Sequence, residues 1–106
     1  MPLRMPYFTT DLDGVTLIAP DAEARREVIE MAVRAEEADY PEVYLTLDDG
    51  RVLGYRLGGT LFQEEEGEMT RFVRKVSPEM VAQAWTWLIE GQDEALENLP
   101  WELPED

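Results

Sequence analysis

The segment that most constrains this chain is Glu42-Val43-Tyr44-Leu45-Thr46-Leu47, followed across Asp48-Asp49-Gly50 by Arg51-Val52-Leu53-Gly54-Tyr55-Arg56-Leu57. Both flanks are rich in β-branched, aromatic and aliphatic residues. Between them sits Asp49-Gly50, the dipeptide favoured by a two-residue type I′ turn because both central residues need positive φ. Such a turn places Asp48 opposite Arg51, Leu47 opposite Val52 and Tyr44 opposite Tyr55. These are favourable cross-strand pairs by charge, apolar contact and aromatic contact. The expectation is an antiparallel hairpin in that register.

The remainder reads around this hairpin. Tyr7-Phe8-Thr9-Thr10 and Val15-Thr16-Leu17-Ile18 flank Asp13-Gly14 and predict a first hairpin of the same kind. Pro20-Asp21 then opens a helix with Asp21 as N-cap and Glu23 near the positive end of the dipole. This helix is expected to run to about Ala38 before Tyr40-Pro41. Its apolar stripe is Val28, Met31, Ala32 and Ala35, widened by Ile29 and Val33, with Arg25, Arg26, Glu30, Arg34 and Glu37 mostly on the wet side.

Gly58-Gly59 turns the chain into Thr60-Leu61-Phe62-Gln63, setting Phe62 beside Tyr55, and Glu66-Gly67 turns it again into the run from Met69 to Val76. Ser77-Pro78-Glu79 is a strong helix start, Val81, Ala84, Trp85, Leu88 and Ile89 form its core stripe, and Gly91 is its stop. Leu99, Trp101 and Leu103 alternate as in a last short edge strand. The expected fold is therefore α+β: an antiparallel sheet of hairpin, helix, meander of about four strands, helix and short last strand, with two helices. At 106 residues the whole of 1–106 makes one domain. Folding a chain of this size buries roughly 65% of its unfolded surface, and a 44% hydrophobic content can fill that core.

The charge is lopsided. There are 24 acidic and nine basic residues, a formal net charge of −15 at pH 7. No Lys or Arg follows Lys75, whereas Glu79, Glu90, Asp93, Glu94, Glu97, Glu102, Glu105 and Asp106 do. Such a field repels phosphate backbones and anionic lipid, and it can raise the on-rate of a basic partner by roughly 10 to 10³. Nucleic acid and membrane are thus excluded as expected partners, and a basic protein is favoured. A solvated acidic face is the plain alternative. Cysteine is absent, the segment Met1-Pro2-Leu3-Arg4-Met5-Pro6 lacks a signal-peptide pattern, and no apolar run suits a membrane span. These features suit a soluble, cytoplasmic protein.

Histidine is absent too, which removes the commonest general base and the commonest metal ligand. Asp11-Leu12-Asp13-Gly14 is similar to the Asp-x-Asp-Gly nucleophile motif of haloacid-dehalogenase-type phosphotransferases, in which Asp11 would attack phosphorus and Asp13 would act as acid/base. Val15 stands where that motif usually has Thr, and the preceding strand is short. A turn explains the segment better. An EF-hand loop fails because Gly14 follows Asp13 directly. The expectation is a nonenzymatic chain with no catalytic residues, no metal site and no cofactor.

Binding residues are better candidates. Glu64, Glu65, Glu66 and Glu68 crowd one turn, and Asp93, Glu94 and Glu97 crowd the base-free C-terminal third. Tyr44, Tyr55 and Phe62 could form an aromatic row across three strands on the face opposite Val43, Leu45 and Leu47, with Trp87 projecting roughly opposite Trp85. Aromatic side chains rimmed by acids are what a hot spot for a basic protein looks like, although core packing is the default.

Taken in order, these features resemble a small immunity protein of bacterial polymorphic-toxin systems, from the family that neutralises toxins such as nucleic-acid deaminases. The resemblance rests on the N-terminal hairpin, the helix opening near Ala19-Pro20-Asp21, the stretch from Val43 to Gly59, the helix begun by Val76-Ser77-Pro78, and Gly91 leading to Leu99-Pro100-Trp101-Glu102-Leu103. It implies a stoichiometric protein inhibitor. The competing readings are a nonenzymatic adaptor or structural protein, phage-related, that uses a sheet edge or Trp87 and forms a homodimer, and a carboxylate-based hydrolase.

Overall fold

A computed structural model describes residues 6–34, 42–56 and 59–104. In chain order the elements are β1 (Tyr7–Thr10), β2 (Thr16–Ile18), α1 (Ala22–Arg34), β3 (Glu42–Leu47), β4 (Val52–Arg56), β5 (Thr60–Glu65), β6 (Glu68–Val73), α2 (Pro78–Ile89) and α3 (Asp93–Glu97). The strands form one antiparallel sheet in the order β2-β1-β3-β4-β5-β6. The α+β class and the antiparallel meander are as the sequence predicts. The expected end of α1 at Ala38 and its break at Tyr40-Pro41 lie outside the described residues, as does Gly58.

The register of the β3–β4 hairpin differs from the expected one by a residue. Val43 faces Tyr55, Tyr44 faces Gly54, Leu45 faces Leu53 and Thr46 faces Val52. The turn is a three-residue loop, closed by Leu47 N–H to the Arg51 carbonyl at 2.9 Å and Gly50 N–H to the Leu47 carbonyl at 3.0 Å, with Gly50 at φ +94°. Gly50 is thus the left-handed residue of a bulged loop rather than the second residue of a type I′ turn. The reason lies in burial. The expected register would have put Arg56 on the same face as Val43, Leu45 and Leu47, whereas the observed one puts Tyr55 and Leu53 there and sends Arg56 out.

The first hairpin makes the same adjustment. Asp11 N–H bonds the Val15 carbonyl and Gly14 N–H bonds the Asp11 carbonyl, both at 3.0 Å, so Leu12, Asp13 and Gly14 form the loop. Asp11 Oδ1 accepts from the N–H groups of Asp13 at 2.9 Å and Val15 at 3.0 Å, which is the work of a turn carboxylate. The two-residue turn with two positive φ angles is found instead at Glu66-Gly67 (φ 56° and 82°).

One face of the sheet carries the core. Tyr7, Val43, Leu45, Leu47, Leu53, Tyr55, Leu61 and Val73 pack there against Val28, Ile29 and Ala32 of α1 and Val81, Ala84, Trp85, Leu88 and Ile89 of α2. The caps form as the residue types dictate. Asp21 Oδ1 accepts from Ala24 N–H at 2.9 Å, and Ser77 accepts from Met80 N–H at 3.2 Å. At the far end of α2, Gln92 N–H reaches the Trp87 carbonyl and Gly91 N–H the Leu88 carbonyl, a Schellman stop with Gly91 at φ 72°. The chain then makes a third helix, α3, between Gly91 and the tail, where the sequence predicts no element. Beyond α3 the expected edge strand is reduced to one bridge, Glu102 pairing with Phe72 on β6.

Arg25, expected on the wet side of α1, is buried. Its guanidinium donates to the Tyr7 hydroxyl at 2.8 Å and the Pro20 carbonyl at 3.0 Å, and the Tyr7 hydroxyl also donates to that carbonyl. A longer contact reaches Thr86 of α2 at 3.4 Å. One side chain thereby ties β1, the entrance of α1 and α2 with neutral acceptors, at a place where the backbone leaves the sheet.

On the opposite face Gly54 is required by packing rather than by φ. A Cβ built there would lie 2.2 Å from Cζ of Phe62, whose ring is wholly buried over it. Tyr44 meets the same ring edge-on, with centroids 6.0 Å apart at 82°. Gly54→Ala is expected to destabilise the fold by about 1–3 kcal/mol through overpacking. Phe62→Leu in the same chain should return part of that loss, measured as non-additive urea midpoints.

Candidate functional site

In an antiparallel meander alternate turns emerge at the same end, so the β3–β4 and β5–β6 turns are neighbours. Asp49, Gly50 and Arg51 from the first and Glu65, Glu66 and Gly67 from the second line one groove of ≈ 480 Å³. Arg51 also approaches Asp93 at the start of α3, 3.9 Å away, so the third acidic segment joins the same end. Sequence positions 48–49, 64–68 and 93–94 are thereby brought to one place. Among the described residues, Arg51 is the base that lines this groove.

Each segment has its own electrostatics. Asp49 accepts from Arg51 N–H at 3.0 Å and Arg51 Nε at 2.8 Å, and these bonds, the backbone one first, hold its carboxyl below the usual carboxylate range. A two-residue turn sets Arg51 against Asp48. The slipped register moves it to Asp49, so Asp48 stays exposed without an ion pair among the described residues. On the second turn Glu65 faces Glu68 directly across the strands, a like-charge pair, and Glu66 holds a left-handed conformation that side chains rarely adopt. Glu64, at a bulge, turns toward the open face of the sheet.

The C-terminal acids divide. Asp93 and Glu94 are exposed on the first turn of α3. Glu97 is committed elsewhere: Arg71 donates to its two carboxylate oxygens at 2.9 and 2.8 Å and to Gln63 at 2.8 Å, while its guanidinium lies 4.1 Å from the Trp101 ring centroid. Trp101 in turn donates from Nε1 to the Leu96 carbonyl at 2.7 Å. Glu97 therefore fastens α3 and the tail to the sheet.

The aromatic row is split. Tyr44 and Phe62 share the open face, but the register slip turns Tyr55 into the core, where its hydroxyl donates to the Val76 carbonyl at 3.3 Å. Phe62 is covered by Tyr44 and by the Arg56 guanidinium, 5.3 Å from its centroid. Trp87 is half-buried against the core. Burial raises the Tyr44 hydroxyl well above the ordinary tyrosine range, aided by its hydrogen bond to Glu42 and the charges of Glu42 and Glu64. It remains a neutral donor at physiological pH. Burial likewise raises Tyr55, with the charge of Glu79 adding to it.

No family model, curated protein or solved structure matches this chain. The site therefore rests on its own geometry. Among the described residues no group of three or more acids is disposed to hold a metal ion, and no helix is long and apolar enough to cross a membrane. The arrangement offers a broad acidic surface with two turn tips and a short helix. What the sequence reading missed is the part played by Asp48, Asp49 and Arg51; the signal was the Asp-Asp-Gly-Arg turn, read only for its hairpin.

Two outcomes test this electrostatic description. Glu68→Lys replaces a like-charge pair with an opposite one and should raise stability by about 0.5–1 kcal/mol, read from urea denaturation. Arg71 holds the Glu97 carboxyl below its ordinary range, mainly through its hydrogen bonds. A depressed carboxyl contributes stability above its unfolded pKa, near 4.3, and loses it as pH falls through the folded value. The advantage of the wild type over Glu97→Gln should then be level from about pH 7 to pH 5 and shrink below about pH 4. Because Glu97 is largely exposed, added salt should diminish it.

Proposed function

We propose that this protein is a nonenzymatic, acidic protein-binding inhibitor that neutralises a basic partner, a bacterial toxin domain, by covering its cationic site. The observation that carries the reading is the convergence of three sequence-distant acidic segments on one end of the sheet with Arg51 as the base among them. Chains do not gain stability by setting Glu65 against Glu68 and Glu66 in the left-handed region; such arrangements cost stability and recur at sites kept for another purpose.

A basic partner supplies what that end lacks. Its arginines and lysines would meet Glu65, Glu66, Glu68, Asp48, Asp93 and Glu94, all exposed. Long-range attraction would steer the encounter and speed association. The reading takes Glu97, Tyr55 and Trp87 out of the contact set, since ion pairing, core burial and helix packing account for them. Tyr44 and Phe62 stay as support for the open face. The acidic inhibitor acts, on this reading, in the cytoplasm, as the resemblance to immunity proteins implies.

The test is to read the neighbouring gene for a secreted protein that ends in a basic domain and to co-express that domain with this chain. A 1:1 complex is expected, its dissociation constant rising about tenfold or more between low and high salt. Glu65→Gln, Glu66→Gln and Glu68→Gln together should slow association while leaving dissociation nearly unchanged. A complex whose affinity ignores both salt and these substitutions would sink the charge mechanism.

A further inference from the structure

The two edges of the sheet are finished differently. On β6 the outward N–H and C=O of Phe72 are both bonded to Glu102, at 2.9 and 2.7 Å, so the tail covers that edge. On β2 no strand lies outside among the described residues. Asp11 N–H bonds the Val15 carbonyl and Ala19 N–H the Tyr7 carbonyl, so Val15, Leu17 and Ala19 turn their backbone groups toward β1, and those of Thr16 and Ile18 point away from the sheet. Exposed edges are ordinarily guarded by lysine, an inward-pointing charge, proline or a bulge. None of these guards lies between Val15 and Ala19.

The residues along and beside this edge define what an added strand must carry. Val15, Leu17 and Ile18 are 51%, 37% and 78% exposed, so the middle of that strand is apolar. Its ends are set by charge. From Pro6 to Ala24 there are four acids and no Lys or Arg: Asp11 and Asp13 stand before β2, and Asp21 and Glu23 stand after it. Arg25, the next base along the chain, is buried and bonded to Tyr7 and the Pro20 carbonyl. An apolar edge bracketed by acids matches an apolar strand with Lys or Arg at both ends, in either direction. The net charge acts in the same sense, since a field of −15 attracts such a segment and repels an acidic one, a second copy of this chain included.

We propose that β2 receives an extended segment of the basic partner, apolar in its middle and basic at its ends, which adds to the sheet through the outward backbone groups of Thr16 and Ile18. This rests on the reading of the partner as a basic protein and says how that partner is held. The place suits it. Ala19 N–H reaches the Tyr7 carbonyl, Tyr7 faces Leu47, and Asp48 N–H reaches the Pro6 carbonyl at 2.9 Å, so β2 finishes at the end of the sheet that carries the β3–β4 turn. A partner seated on that turn has the bare edge within about 10 Å, two strand spacings away. The acids then steer the encounter, and main-chain bonds hold the complex.

The probe is a synthetic strand of about nine residues, Val and Thr alternating in its middle and Lys at both ends, added to the isotope-labelled protein. One short strand makes a small interface, so a dissociation constant of about 0.1–1 mM at low salt is expected. At saturation the amides of Thr16 and Ile18, which face water in the free protein, should exchange about tenfold more slowly. The same peptide with Glu in place of Lys should bind about tenfold more weakly or worse. A Lys peptide N-methylated through its middle keeps the charge, loses the ladder and should not bind. Asp13→Asn with Glu23→Gln should weaken the Lys peptide about threefold or more, whereas Glu65→Gln, Glu66→Gln and Glu68→Gln together should leave it within about twofold.

Equal affinity for the Lys and Glu peptides, binding of the N-methylated peptide, or slowed exchange that spares Thr16 and Ile18 would each overturn the proposal. So would slowing of those two amides with protein concentration alone, which would make a second copy the occupant. The two readings fail separately. A salt-sensitive complex with the basic domain that leaves both amides exchanging freely overturns the added strand and leaves the inhibitor standing, whereas a basic domain that forms no complex overturns the inhibitor reading itself.

Discussion

The β3–β4 ladder could be built in two registers, and the whole molecule follows from the one that hydrophobic burial selects. With Val43 on Tyr55 and Leu45 on Leu53, every core-facing position of the central hairpin is apolar. With the alternative, Arg56 would have joined them. Leaving a guanidinium in the core costs more than the modest difference between two hairpin loops, so the turn yields and takes a bulged loop with Gly50 in the left-handed region. Because side chains alternate along a strand, the slip of one residue decides the partner of each aromatic residue on β3 to β5. Tyr55 joins the core, and Gly54 comes to lie beneath Phe62 where no larger residue fits.

Two cations shield the open face in place of a second layer, Arg56 over Phe62 and Arg74 at 5.4 Å from the Phe72 centroid, while Arg71, on the helix-covered face opposite Gln63, lies over Trp101. Each guanidinium is held in place by a carboxylate, Glu42, Glu102 and Glu97 respectively. Much of the small basic complement is therefore consumed in shielding aromatic surface and fastening the tail. That leaves Arg51 as the base lining the groove at the turn end among the described residues. Stability and the acidic surface are linked through this allocation of arginines.

The turn end is charged and locally unfavourable, with Glu65 set against Glu68 and Glu66 in the left-handed region, whereas the β2 strand at the far edge of the sheet is neutral and apolar, so the sheet presents surfaces of opposite character at separate places.

The sequence by itself determined the α+β class, the two long helices with their Asp21, Ser77 and Gly91 boundaries, the antiparallel meander and the candidate acids, because each is written in local chemistry: caps, turn residues and alternation. Tertiary structure alone decided the rest. Register depended on which side chains the helices would cover, so Asp-Gly turns that favour type I′ locally became bulged loops, and the aromatic row with Tyr55 did not form. Arg25 is polar by composition yet buried, because Tyr7 and the Pro20 carbonyl offer acceptors that no sequence window reveals. Glu97 resembles its acidic neighbours in sequence, but Arg71, 26 residues away, claims it. The gathering of residues 48–49, 64–68 and 93–94 at one end arose from strand order, a long-range property that charge counting along the chain could not supply.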